Sequence, residues 1–178
     1  RAIKLMLPVR HPEEVALREV GLAGVPRILE HLADPDHPRR DNLVAFLWSL
    51  GGPESRDALL DAFTRQDLDM AIPEEDRARM MIPHTLGKLA SRGDEESLEL
   101  LLSISGGGAA VELLNRAAEG YDNRARARVD LMEQVLRGLA FSGADRARDR
   151  LVDVGLGRQD GMPPGRDLSG PALDLVDL

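Results

Sequence analysis

The sequence predicts an all-α fold, an α-solenoid of antiparallel helix pairs, and three observations favour it. Apolar residues recur at helical spacing, as in Leu98, Leu101 and Leu102. A glycine-containing turn separates two helical segments in four places along the chain. Aromatic residues make up only 3% of the 178 residues, whereas 43% are apolar. Leu, Ala, Val, Ile and Met must therefore fill the core, and these residues suit helix–helix packing.

The four turns divide the chain into helix pairs of unequal length. They lie at Gly24, Gly52, Gly93 and Gly143, so their separations are 28, 41 and 50 residues. Spacings in this range are typical of stacked helical repeats, and the widening intervals indicate insertions. We expect these glycines to adopt the left-handed conformation that ends a helix. The predicted solenoid is therefore irregular.

Helical periodicity and end signals predict nine helices. Pro53 and Glu54 suit the first turn of one helix, and Asp94 and Glu95 suit the first turn of another. The helix that contains LVAFLW is apolar almost all round, which indicates an inner helix covered by neighbouring repeats. The predicted ranges are 12–21, 25–33, 39–50, 53–64, 74–91, 94–104, 108–119, 124–141 and 144–154.

Four features interrupt the regular pattern. Residues 66–73 suggest a long loop, and Pro83 is expected to kink the 74–91 helix or shift its start. Three consecutive glycines, 106–108, precede an inserted helix. Residues 155–178 are rich in Gly, Pro and Asp, which is typical of a linker. We therefore predict a helical repeat domain over residues 1–154 and an extended C-terminal tail over residues 155–178.

Composition excludes several classes of function. The net charge of −8 and the sequence pI near 5.0 argue against nucleic acid or an anionic membrane as the main partner. The chain has no cysteine, which excludes zinc–thiolate sites and cysteine nucleophiles. It has no apolar run of about 18 residues, and its N-terminal apolar patch is too short for a signal peptide. We expect a soluble, cytoplasmic protein.

The stretch LADPDHPRRDNLVAFLWSLGGPESRDALLDAF, residues 32–63, resembles the HEAT-like repeats first named from phycobilisome lyases. Those repeats have a Leu, an Asp-Pro-Asp turn, a basic residue, an Ala-rich helix that ends Leu-Gly, and a Pro or Asp that opens the next helix. The resemblance covers residues 15–64 well and residues 84–104 and 125–154 less closely. The matching positions in the first unit are Leu32, Asp34, Pro35, Asp36, Arg39, Arg40, Ala45, Leu50, Gly51 and Pro53.

The resemblance implies a superhelix with outer and inner helix layers. Proteins of this family typically bind other proteins along the inner, concave face. Some are bilin lyase subunits, and a more distant group of helical-repeat proteins removes alkylated bases from DNA. The resemblance therefore implies a non-catalytic protein-binding scaffold, with a bilin-lyase-like subunit as the alternative and a DNA-repair protein as a weaker one.

Basic residues recur near the starts of the predicted inner helices and form the candidate partner-binding set. They could pair with carboxylates of neighbouring repeats, such as Asp41, Asp76 and Asp130, or present a basic stripe to a partner with an acidic surface. His84, beside Pro83, is the histidine that we select for a role on the concave face. The predicted partner-binding residues are Arg39, Arg40, Arg77, Arg79, His84, Arg124 and Arg128.

Other chemical motifs favour structural roles. The segment from His31 to His37 holds two imidazoles and two carboxylates and could bind a metal, but its Asp-Pro-Asp pattern is better explained as the repeat turn, where an Asp can cap the next helix. Trp48 lies in an apolar helix and is expected to pack in the core. We predict no catalytic residue, no metal and no cofactor. Leu173, Leu175, Val176 and Leu178 provide apolar surface with which the tail could pack on its own or a neighbouring chain.

Overall fold

The computed structural model describes residues 16, 20–158, 160, 162–164 and 167–176, which form helices joined by turns and contain no β-strand. Short 3-10 helices at Leu22–Gly24 and Pro53–Ser55 each lead into an α-helix. The α-helices are α1 (Val25–Ala33), α2 (Arg40–Leu50), α3 (Arg56–Thr64), α4 (Pro73–Ser91), α5 (Glu95–Ser105), α6 (Val111–Ala118), α7 (Arg124–Ser142), α8 (Asp145–Gly155) and α9 (Ser169–Asp174).

The all-helical class is confirmed for the described residues, and α1–α8 match eight predicted helices to within three residues at each end. The ninth, predicted over residues 12–21, lies outside the described residues except for Ala16, Val20 and Gly21. α4 runs through Pro83 and does not begin after it. α9 falls in the segment predicted as an extended tail, so that part of the prediction is incomplete.

The predicted left-handed backbone conformation is present at two of the four turn glycines. Gly93 and Gly143 have φ values of +98° and +64°. Gly24 has φ −82° because it belongs to a 3-10 helix, and Gly52 has φ −126° in extended backbone. The predicted cap by an Asp of the Asp-Pro-Asp turn is wrong, because no side chain caps the start of α2. Asp34 Oδ1 instead accepts a hydrogen bond from the N–H of Asp36 at 3.0 Å, which closes a local turn.

The helix contacts form two series, and we call the first of them, made of α2, α4 and α7, the α2–α4–α7 layer. α4 packs against α2 on one side and against α7 on the other. The remaining helices form a second series of neighbours, in which α1 contacts α3, α3 contacts α6, α6 contacts α5 and α5 contacts α8. The first series contributes much of the core, including the fully buried Leu47, Ile82, Leu131 and Val135. α4 is therefore the central helix of its layer.

The contacts between α2 and α4 show that these helices run in the same direction. Near their N-terminal ends, Arg77 Nη1 lies 2.7 Å from Asp41 Oδ2. Near their C-terminal ends, Arg92 donates to the carbonyl oxygen of Gly51 at 3.0 Å. Residues early in one helix thus meet residues early in the other. Equivalent helices of successive repeats run in the same direction, whereas two helices joined by a short turn run in opposite directions.

α7 runs in the same direction and lies very close to α4. His84 meets Gln134, and three residues later Gly87 meets Gly138. A methyl group built on Gly87 would lie 2.7 Å from the carbonyl carbon of Gly138, and one built on Gly138 would lie 2.9 Å from that of Pro83. Only glycine at both positions permits this backbone contact.

Arginine side chains connect helix ends in different parts of the chain. Of the 23 basic residues, 21 are arginine. Arg92 also donates to the carbonyl oxygen of Ser49 at 2.8 Å, near the end of α2, and Arg65 donates to that of Ala33 at 3.0 Å, at the end of α1. The last carbonyls of a helix lack intrahelical partners, and a guanidinium can satisfy two of them at once.

The C-terminal segment packs on the chain's own last long helix. α9 lies against α8, and Leu168, Ala172 and Leu175 are buried there. Leu173 lies against Gly155 but remains about half exposed. Of the helices that the structure describes, none is both long enough and apolar enough to cross a membrane.

Candidate binding face

The exposed surface of the α2–α4–α7 layer carries an aromatic cluster formed by Trp48, His84 and Phe141. The Trp48 and Phe141 rings meet edge to face, with centroids 4.9 Å apart and an interplanar angle of 86°. The His84 and Phe141 centroids are 5.5 Å apart at 67°. Phe141 is 40% exposed, and Trp48 and His84 are partly exposed. One residue from each helix therefore contributes to a single surface cluster.

The cluster crosses the central helix. Because α2 and α7 lie on opposite sides of α4, the Trp48 and Phe141 side chains reach each other over α4. Lys88, one turn after His84, places its Nζ 5.9 Å from the centroid of the Trp48 ring. Edge-to-face pairs and cation–π contacts at this range are each attractive by about 0.5–1 kcal/mol. These contacts hold the cluster in a defined arrangement.

His84 is held in one tautomer at the centre of the face. Gln134 donates its side-chain Nε2 to the carbonyl oxygen of Asp130 at 3.2 Å, which directs its Oε1 toward His84. His84 Nε2 lies 2.9 Å from that oxygen and must therefore carry the hydrogen. Burial lowers the pKa of His84 below its ordinary 6.5, and the nearby Arg137 acts in the same direction, although the Gln134 hydrogen bond opposes them. The neutral ring is favoured.

A row of charges crosses the N-terminal end of the same face. The Asp41 side chain is only 4% exposed and forms two ion pairs. Its Oδ1 lies 3.0 Å from Arg39 Nε, and its Oδ2 lies 2.7 Å from Arg77 Nη1. The hydrogen bond from Arg39 lowers the pKa of Asp41, and Arg77 adds to this effect, although burial opposes it. Arg39 and Arg77 remain about half exposed. These two predicted residues are ion-paired and can still contact a partner.

Two of the predicted partner-binding residues are buried. Arg40 is 1% exposed; its Nη1 lies 2.5 Å from Glu75 Oε1 and its Nη2 donates to the carbonyl oxygen of Asp34 at 2.9 Å. Arg79 is also 1% exposed and donates to the carbonyl oxygen of Ala117 at 2.7 Å. Burial lowers the pKa of Arg79 from its ordinary value. These arginines join helices to neighbouring turns, so a partner cannot reach them in this fold.

The remaining predicted residues lie on α7, away from the aromatic cluster. Arg124 is exposed at the first position of the helix, and Arg128 is partly buried one turn later. The exposed Arg126 pairs instead with Asp130 at 2.8 Å. The structure thus brings Arg77 and His84 together on one face but does not bring the seven predicted residues together.

The two histidines of the first turn are close to each other. The rings of His31 and His37 have centroids 5.3 Å apart, and the exposed Asp34 and Asp36 lie between them in sequence. Within the part of the chain that the structure describes, no three His, Asp or Glu side chains are grouped closely enough to hold a metal ion.

Sequence reasoning assigned Trp48 to the core and did not select Phe141 or Gln134. The structure corrects the first assignment, because Trp48 is partly exposed and packs against surface rings. A signal was present in the sequence: Trp48 lies three residues before Gly51, and Phe141 lies two residues before Gly143. Two of the five aromatic residues thus occupy similar positions at the ends of predicted inner helices.

Comparison of the chain with protein-family models, with curated proteins and with solved structures finds no match. The resemblance to HEAT-like repeats therefore stays a prediction from the residues quoted above.

Proposed function

We propose that the chain is an irregular, HEAT-like α-solenoid of antiparallel helix pairs that acts as a non-catalytic protein-binding module. The parallel packing of α2, α4 and α7 supports this architecture, because successive repeats place equivalent helices side by side in one direction. The partner contacts the exposed face of this layer. We call this surface the binding face and define it by Trp48, Arg77, His84, Lys88, Gln134, Arg137 and Phe141.

The aromatic cluster is the observation that carries the proposal. Aromatic residues are enriched among the residues that dominate binding energy at protein interfaces. Here one Phe and one Trp from different helices meet at the surface although the chain contains only five Phe, Trp and Tyr residues. Arg77, Lys88 and Arg137 surround the cluster with groups that can form hydrogen bonds at the rim of an interface. The binding face combines an apolar centre with a polar surround.

Affinity capture with matched variants tests this proposal. Phe141→Ala removes an exposed ring from the binding face, whereas Leu156→Ala removes an exposed apolar side chain, 64% accessible, from the far end of α8. We expect proteins cross-linked to the wild-type chain to be retained by Leu156→Ala and lost or reduced about tenfold with Phe141→Ala. The cross-linked peptides should include residues of α4 and α7. Equal capture by both variants, with cross-links confined to α1, α3 or α8, would contradict the proposal.

A further inference from the structure

The two irregular loops of the chain, one before α4 and one before α7, meet beside the first turns of these helices. Gln66, in the loop after α3, donates to the carbonyl oxygen of Arg116 at 2.6 Å, near the end of the inserted helix α6. Arg79 donates to the carbonyl oxygens of Arg65 and Ala117 and so ties the start of the first loop and the end of α6 to α4. The segments that depart from the repeat pattern are therefore held against each other by hydrogen bonds, of which the one from Arg79 to Ala117 is buried.

A cleft of about 360 Å³ opens between these loops, and we call it the Tyr121 cleft. Its surface combines an aromatic ring, two thioethers and four carboxylates with one guanidinium. The Tyr121 hydroxyl donates to Asp76 Oδ1 at 2.9 Å, which fixes the ring in the wall. The residues that line it are Asp69, Met70, Ala71, Asp76, Met80, Gly120, Tyr121, Asp122, Asn123, Arg126, Ala127 and Asp130.

The cleft has an excess of negative charge. Its one lining cation, Arg126, is already paired with Asp130 at 2.8 Å. Asp69 accepts a hydrogen bond from the backbone N–H of Ala71 at 2.9 Å, and Asp122 is exposed. The buried Arg79 does not line the cleft; its guanidinium lies 5.9 Å from the centroid of the Tyr121 ring and donates to backbone carbonyls. A positive group that entered the cleft would therefore meet an excess of negative charge.

These surfaces match a long basic side chain. A carboxylate binds a guanidinium or ammonium group through charge-assisted hydrogen bonds. An aromatic ring and thioethers such as Met70 and Met80 suit the methylene stem that Lys and Arg bury along apolar surface. A phosphate or an acidic side chain would instead be repelled. Charge complementarity thus selects a basic group.

The Tyr121 cleft and the aromatic cluster lie along the same side of α4, because residues of both follow one another at helical spacing. Asp76, Met80 and His84 follow one another at intervals of one helical turn on α4, and His84 meets Gln134 of α7. The path from Asp76 to the level of His84 and Lys88 is about 12–18 Å at 1.5 Å per residue. An extended peptide covers that distance with about four to six residues at roughly 3.3 Å each.

The geometry points to a partner segment of defined chemistry: an extended peptide with an Arg or Lys side chain in the Tyr121 cleft and an apolar side chain on the aromatic cluster, four to six residues away. This inference rests on the proposed function and specifies the partner of that same face. It differs from the partner with an acidic surface that the basic residues of the sequence suggested, because Arg40 and Arg79 are buried and Arg39 and Arg77 share Asp41.

Selection from a random-peptide display library on the immobilised chain tests the inference. Fluorescein-labelled copies of the enriched peptides are then titrated against the wild-type chain by anisotropy, together with copies in which citrulline replaces each Arg. The cleft variant carries Asp76→Asn and Asp122→Asn. The control carries Asp61→Asn and Asp149→Asn, two exposed sites on α3 and α8, so the change in net charge is the same.

The inference predicts peptides enriched in Arg or Lys with an apolar residue at the stated spacing. The citrulline copies and the cleft variant should each weaken binding by about tenfold or more, and the control by less than about twofold. Peptides that lose affinity with Phe141→Ala but lack a basic residue, or that are acidic, would overturn the inference while leaving the proposed function in place. Peptides indifferent to both Phe141→Ala and the cleft variant, preferential binding of a nucleic-acid oligomer, or no enrichment would overturn both.

Discussion

The backbone contact between α4 and α7 makes Gly138→Ala a sharp test of the layer that forms the binding face. The new methyl group would lie 2.9 Å from the Pro83 carbonyl carbon, whereas ordinary contacts of this kind lie at 3.4–4 Å. The helices would have to separate, because a backbone carbonyl cannot rotate away as a side chain can. Overpacking typically costs about 1–3 kcal/mol, and a rigid contact belongs near the upper value.

The gain in helix propensity offsets part of that cost. Ala is better than Gly inside a helix by about 1 kcal/mol, which leaves a net loss of about 2 kcal/mol. For a chain of this size that loss lowers the melting temperature by about 4–8 °C. Thermal unfolding followed by circular dichroism measures the change. The matched control is Gly170→Ala in α9, where nothing lies within 4 Å of the position that the new methyl group would take, and stability should be unchanged or slightly higher. A Gly138→Ala chain that melts at or above the wild-type temperature would refute the close packing.

Three further predictions concern buried polar groups. Arg40→Met should lower the free energy of unfolding in urea by about 3 kcal/mol, because it leaves Glu75 buried without its cation. The double variant with Glu75→Met should recover most of that loss. An equal loss in the single and double variants would contradict the pairing. Because the pKa of His84 is lowered in the folded chain, the unfolded chain binds a proton at this residue at a higher pH than the folded chain does. The free energy of unfolding should therefore decrease as the pH falls from about 7.5 to about 5.5. The decrease should be smaller in the His84→Gln variant. Burial and the hydrogen bond to Asp76 raise the pKa of Tyr121, the only tyrosine, so tyrosinate absorbance should not develop near pH 10 as it does in a free tyrosine.

The helical class was predictable because its signals are local. Apolar spacing, Pro53 after a glycine pair and acidic first turns place α1–α8 almost where the structure has them. Each of these signals depends on residues within one or two turns. The left-handed conformations at Gly93 and Gly143 also follow from a local rule. Gly24 departs from that rule because a 3-10 helix continues through it into α1.

The binding face was less predictable because it depends on contacts between distant residues. Arg40 and Arg77 both lie in the first or second turn of an inner helix, yet one is buried against Glu75 and the other is exposed. That difference depends on which side of each helix faces its neighbour. The contact of Trp48 with Phe141 across α4 depends likewise on how α2 and α7 pack against α4. The Tyr121 cleft requires two loops about 50 residues apart in sequence to meet, since a methyl group built on Gly120 would lie 3.2 Å from Met70 Cγ.

The Gly87–Gly138 contact was predictable only in part. Both glycines are visible inside predicted helices, where glycine costs about 1 kcal/mol relative to Ala and so suggests a packing reason. Their pairing could not be inferred, because the sequence does not state which helices are neighbours.

The most direct measurement of the central claim is a map of backbone amide shifts by NMR when a selected basic peptide is added to the isotopically labelled chain. If α4 and α7 form the peptide groove, the largest shifts should follow it from Asp76 and Tyr121 through His84 and Gln134 to Phe141. The exposed positions of α1, α3 and α8 should change little. Shifts concentrated on those outer helices, with the α4–α7 groove unchanged, would contradict the claim.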